Sequence, residues 1–136
     1  MELADTSVWA LKSRPDIHDW FGVAVESGEI AGCDMIALEL LRSARNPQEF
    51  ALIEMGLAGL PWVEAHASDW NRAREVYRQL GSRPGQVQRS VKHADLLIAS
   101  AAERAGLTLL HYDSDYEVIA SVTNQPTRWV APRGSL

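Results

Sequence analysis

Short apolar runs alternate with helix-period stretches along almost the whole of this chain. That alternation points to an α/β fold with a mainly parallel sheet, because parallel strands must be joined by long crossovers and a helix is the usual one. Residues 2–4, 30–33, 60–63, 107–111 and 128–130 are read as five strands, the first too short to stand alone. Between them, residues 8–12 make a short helix. Pro15 opens a second that carries Ile17, Trp20, Phe21, Ala24 and Val25 at helical spacing and stops at Gly28. Asp34 is expected to cap a helix over 35–44. Asn46-Pro47 starts another through Phe50, Ile53, Glu54 and Leu57. Ser68-Asp69 should cap a helix with Trp70, Ala73, Val76, Tyr77 and Leu80 on one face. Residues 95–105 form a strong helix ended by Gly106, and 115–122 a short one. Residues 81–90, rich in Gly, Pro, Gln and Arg, read as a mobile loop, and 131–136 as a frayed tail.

With 136 residues, one domain covering 1–136 is expected, large enough to bury a core without disulfides. No apolar run reaches the length of a membrane span. The single cysteine, Cys33, excludes an internal disulfide and a thiolate metal cluster, and is expected as buried filler in a protein of the reducing cytoplasm. A net charge of −5 argues against broad electrostatic capture of nucleic acid. It does not argue against a nuclease, since a carboxylate metal site is itself a source of negative charge that bound cations offset.

Four acids stand where a carboxylate is awkward: Asp5 after the first strand, Glu39 within Met-Ile-Ala-Leu-Glu-Leu-Leu, Asp95 before Leu-Leu-Ile-Ala-Ser-Ala-Ala, and Asp113 closing Leu-Thr-Leu-Leu-His-Tyr-Asp. A charge beside a core must be paired, protonated or metal-bound. Sites in an open parallel sheet form outside the carboxyl ends of the strands where strand order reverses. Asp5 and Asp113 flank such a point if strands two and three lie to one side of strand one and strands four and five to the other. Glu39, with Met35, Ile36, Arg42 and Ser43 as same-face neighbours, reads as inward-facing. Asp95 begins the helix leading into strand four, which by spacing alone suggests the far end of that strand. Taken singly, each acid has a structural explanation: Asp5 as a turn or cap, Glu39 as an exposed helix residue, Asp95 as a dipole-favoured first-turn acid, Asp113 and Asp115 as loop and cap residues.

With these residues in place, the chain resembles the PIN-domain ribonucleases of the VapC type, the toxin half of VapBC toxin–antitoxin pairs. The resemblance rests on Asp5-Thr6-Ser7-Val8-Trp9, on Glu39 in Ala37-Leu38-Glu39-Leu40-Leu41, on Ala94-Asp95-Leu96-Leu97-Ile98-Ala99-Ser100, and on Leu109-Leu110-His111-Tyr112-Asp113-Ser114-Asp115-Tyr116. It implies a PIN-like sandwich, a sheet of order 3-2-1-4-5 between helices, and an Asp95 that folds onto the site. It also implies an endoribonuclease leaving 5′-phosphate and 3′-hydroxyl ends. Mg²⁺ or Mn²⁺ would be held by Asp5, Glu39, Asp95 and Asp113, with Asp115 as an accessory. A VapB-type antitoxin that wraps the toxin and blocks the site, and a homodimer, are further implications. Residues 35–57 are a candidate dimer face and equally candidate core. Two departures from the family pattern are His111, where relatives carry a small hydroxyl residue, and Tyr116, where phenylalanine is more usual; the second reads as conservative packing.

Thr6 or Ser7 is expected to orient a carboxylate or a metal-bound water. Lys12, Arg14, Arg42, Arg89, Lys92 and His93 border the proposed site and are candidate phosphate contacts, although solvated surface charge explains any one of them. Trp9 is expected in the core or an interface rather than stacked on a base. For His111 a hydrogen-bonding role is preferred over that of a general base. Two competing readings remain. A receiver- or phosphatase-like domain is weak, because Thr6 and Ser7 stand where a second acid is wanted. A non-catalytic, antitoxin-binding module sits poorly with four retained acids.

Overall fold

The computed structural model describes all 136 residues. β1 (Glu2–Ala4) lies at the centre of a five-stranded, wholly parallel sheet of order β3-β2-β1-β4-β5, with β2 Ile30–Cys33, β3 Trp62–Val63, β4 Thr108–His111 and β5 Thr127–Trp129. Three residues suffice for β1 because it is paired on both sides: Leu3 opposes Ala31 and Leu109. Its side chains alternate between two layers, as strand geometry requires. Leu3 and Leu109 face a larger core shared with Ile36, Val76, Leu80, Ile98 and Ile119, while Ala4 and Leu110 face a smaller one built from Val8, Ile17, Phe21 and Val130.

The helices divide accordingly. α1 (Thr6–Trp9) and α2 (Pro15–Glu26) cover one face of the sheet; α3 (Asp34–Arg42), α5 (Ala67–Gly81), α6 (His93–Ala105) and α7 (Asp115–Thr123) cover the other. α4 (Pro47–Ala58) packs against α3 and buries only Leu57, leaving Leu52 and Met55 about 70% exposed. At the centre of β2, Gly32 has no room for a side chain, since a Cβ there would stand 2.9 Å from the Trp62 ring. Gly106, at φ +69°, ends α6 in the left-handed conformation that glycine adopts without steric cost. No helix is long and apolar enough to cross a membrane.

Several boundaries differ from expectation for local reasons. α1 starts at Thr6 rather than Val8, because the Asp5 carboxylate accepts the Ser7 N–H and caps the helix there. Asp34 and Asp69 lie inside their helices instead of capping them. Cys33 and His66 hold the cap positions, and Asp69, from the third helical position, accepts the His66 N–H at 3.0 Å. Trp70 is exposed although Ala73, Val76 and Leu80 on the same helix are buried. Trp70 instead lines a cavity with Leu38 of α3 and Val63 of β3. Residues 87–90 of the expected loop form a 3-10 turn. In the closing hexapeptide, Arg133 bridges Glu117, and the Leu136 N–H donates to the Tyr112 hydroxyl at 2.8 Å.

Candidate active site

The site lies along the carboxyl edge of β1 and β4. Asp5 follows β1 directly, and two bonds fix its carboxylate: Oδ2 accepts from the Ser7 hydroxyl at 2.6 Å and from the Ser7 N–H at 3.0 Å. The same Ser7 oxygen accepts the Tyr112 N–H from the chain leaving β4, so one hydroxyl ties the two strand ends together. Asp113 follows β4, and its Oδ1 accepts the Asp115 N–H.

Asp95 reaches this edge by topology. α6 returns antiparallel to the strand it feeds, so its C-terminus meets the start of β4 and its first turn stands over the end of β4. The far-end placement suggested by spacing therefore counted strand order and not the direction of the return helix. Asp95, Asp113 and Asp115 each offer a carboxylate oxygen, all within 4.8 Å of one another.

Two residues join this trio to its surroundings. Tyr116, fully buried, places its hydroxyl 2.6 Å from Asp5 Oδ1 and 3.1 Å from Asp95 Oδ1. A phenol has one proton, so it donates to the nearer Asp5 oxygen. Its pKa stands well above that of free tyrosine, through burial and the two acids beside it. Lys92 reaches in from the residue before α6, with Nζ 2.8 Å from Asp113 Oδ2, 3.0 Å from Asp115 Oδ2 and 3.3 Å from Asp95 Oδ2, and its backbone N–H also donates to Asp115. Burial works against this ammonium, but the bonds to Asp113 and Asp115 outweigh it and raise its pKa.

Sequence reasoning missed both roles. The hydroxyl of Tyr116 is a structural bridge rather than conservative packing, and the available signal was that a buried tyrosine needs a partner. Lys92, read as a phosphate contact or surface charge, is the internal cation of the cluster, and its spacing of three from Asp95 was the clue.

Glu39 is one step removed. It stands half-buried on α3, and its Oε1 accepts the Thr6 hydroxyl at 2.8 Å. Thr6 and Ser7 thus orient Glu39 and Asp5 respectively. Beside Glu39, a groove of about 490 Å³ runs past Thr6, Trp9 and Lys12 to Leu52 and Ile53 of α4. Trp9 packs edge-on against Phe21, and its indole N–H donates to the Ala4 carbonyl.

Burial pushes the pKa of Asp95 up to about 8, its acidic neighbours push the same way, and Lys92 offsets only part of this. Burial works against the neighbouring Asp115 carboxylate, but bonds involving Asp95 and Lys92 outweigh it and hold its pKa below the usual range. Asp95 Oδ2 is buried yet makes no hydrogen bond. A buried carboxylate oxygen that accepts no hydrogen bond, grouped with two more carboxylates, could hold a hard cation, and an all-oxygen donor set is the kind that suits Mg²⁺ or Mn²⁺. His111 is sealed from solvent between Tyr116 and Trp129. Its Nδ1 accepts the Asp113 N–H, which leaves the ring proton on Nε2 without a partner, and burial holds it neutral. It supports the Asp113 turn and faces no open site. Cys33 is likewise buried, its thiol raised to about 11 chiefly by that burial.

The family model described as PIN domain matches residues 3–122, which contain every one of these acids. This chain belongs to the PIN-domain family. Within that family it is similar to Ribonuclease VapC18 of Mycobacterium tuberculosis, at 39% identity over 97% of this chain and 96% of that protein. It is also similar to Ribonuclease VapC51 of the same organism, at 40% identity over 98% and 96%. The group to which this PIN domain belongs is therefore VapC. Among solved structures, the DNA-bound VapBC of Salmonella typhimurium matches with a TM-score of 0.72 at 16% identity, covering 96% of this chain and all of that one. VapBC2 of Rickettsia felis, bound to a promoter DNA fragment, matches with a TM-score of 0.70 at 17% identity over 94% and 97%. At those identities the likeness bears on the PIN fold alone.

Proposed function

We propose that this chain is the toxin component of a type II toxin–antitoxin system, a Mg²⁺- or Mn²⁺-dependent endoribonuclease acting in the cytoplasm. The observation that carries the reading is the convergence of Asp95, Asp113 and Asp115, one with a buried carboxylate oxygen that accepts no hydrogen bond. Asp95, Asp113 and Asp115 would hold the ion, with Asp5, joined to Asp95 through Tyr116, and Glu39, held by Thr6, completing the acidic set. When bound, the ion supplies a lowered pKa for an attacking water and charge stabilisation at the leaving oxygen. The protein's own part is orientation: Ser7 aims Asp5, the Asp115 N–H aims Asp113, and Thr6 aims Glu39. No side chain need act as nucleophile. Positive groups near this edge, Lys12 in the groove beside Glu39 among them, would meet RNA phosphates and make binding salt-dependent.

Partner binding has its own support. Leu38, Phe50, Leu52 and Met55 on α3 and α4 are exposed, and the groove leads from that apolar surface to Glu39. A VapB-type antitoxin segment laid along it would end at the site, and a homodimer would use the same helices. The test is incubation of the pure chain with total RNA and Mg²⁺ or Mn²⁺, with Glu39→Ala and chelator as controls. Metal-dependent fragments from the wild type alone support the reading; identical RNA profiles for the two proteins overturn it.

A further inference from the structure

Lys92 holds the position that a divalent ion needs. Its Nζ is in contact with one oxygen from each of Asp113, Asp115 and Asp95. A Mg²⁺ ion bound to the same oxygens, at about 2.0–2.1 Å, would overlap the ammonium and be repelled by it, so the two exclude each other. The ammonium fills the seat imperfectly: it bonds to Asp113 and Asp115 and leaves Asp95 Oδ2 without a hydrogen bond. It can also leave easily. The Lys92 side chain is 62% exposed, whereas its backbone is anchored by the N–H donated to Asp115, so departure needs side-chain rotation only. No other basic side chain makes an ion pair with Asp95, Asp113 or Asp115.

Building on the metal-site reading above, we infer that Lys92 is a displaceable internal counter-ion, closing the carboxylate seat in the ion-free protein and swinging outward when a divalent ion enters. Ion affinity is then the net of two cations competing for one seat. The displaced ammonium remains tethered at the mouth of the site, where it adds positive charge on the side open to solvent.

Calorimetric titration with Mn²⁺ tests the competition. Lys92→Met keeps the aliphatic stem and removes the charge, and it should bind Mn²⁺ on the order of tenfold more tightly than wild type. Lys12→Met, which removes the chain's one other lysine, should bind as wild type does. Wild-type protein with ¹³C-labelled lysine gives a second readout that does not depend on the folding of any variant. The ε-carbon signal of Lys92 should shift on Mg²⁺ addition, saturating with the calorimetric isotherm, while that of Lys12 stays in place. Wild-type binding with an unmoved Lys92 signal, or with equal or weaker affinity in Lys92→Met, overturns the inference and leaves the metal site standing. No Mn²⁺ binding by either protein overturns the metal site, and the inference with it.

Discussion

Tyr116 donates its hydroxyl proton to Asp5 Oδ1 across 2.6 Å, joining two residues 111 positions apart inside the core. Asp95 Oδ1 stands 3.1 Å from the same hydroxyl, so a single phenol separates two acids that would otherwise face each other. Substituting Tyr116→Phe keeps the ring and removes that bridge. In ion-free buffer the variant should lose about 1–3 kcal/mol by urea denaturation, the cost of unsatisfied buried groups. Saturating Mg²⁺ should recover part of the loss. Equal stability of the two proteins without ions would show that the bridge carries no energy.

Ion binding should itself be visible as stability. At a hundred times its dissociation constant a ligand adds about 2.7 kcal/mol. Mg²⁺ or Mn²⁺ is therefore expected to raise the melting temperature of the wild type, and Asp5→Asn to diminish the gain. Asp95→Asn should abolish most of the gain while leaving the ion-free protein as stable as before or more so, since it removes a poorly solvated acid. Scanning calorimetry with and without ion checks all three.

The pKa of Asp95 sets a pH dependence whose sign is unusual for a carboxylate. Its folded value, about 8, lies above the ordinary 3.8, so between those values the folded state binds more protons than the unfolded. Its contribution to stability is full below about pH 4 and is lost as pH rises through 8. Ion-free wild type should lose stability over that window relative to Asp95→Asn, measured by denaturation at a series of pH values. Ion uptake should release protons in the same range.

Asp69 and Arg104 make an ion pair outside the site. Arg104 donates to both Asp69 oxygens and to the Glu64 carbonyl, tying α5 and α6 to the segment after β3. Asp69 is nearly buried, and its arginine partner holds its pKa low against that burial. Arg104→Ala should cost about 3 kcal/mol, because it strands a buried carboxylate. RNA cleavage per folded molecule should not change.

Much of this was legible because parallel strands in a buried sheet are short apolar runs with clear ends. Residues 30–33 stand out between Gly28 and Asp34, and Gly106 marks the last turn of α6. The acids were legible for the same reason, being charges where the pattern wants apolar side chains. Their arrangement was not. Asp95 is placed by the direction of its helix, and the Asp5–Asp95 junction depends on a tyrosine 21 residues beyond Asp95. Lys92 looked like surface charge because its spacing of three from Asp95 permits the pairing but does not fix which way a flexible side chain turns. Trp70 misled because helical periodicity shows which residues share a face and not how far the neighbouring elements cover it.

The most direct test of the whole account is anomalous diffraction from crystals soaked in Mn²⁺. A peak in contact with Asp95 and Asp113, with the Lys92 ammonium moved off those oxygens, is the expected result. A map without density between the carboxylates at saturating Mn²⁺, or with peaks only elsewhere on the surface, would contradict it.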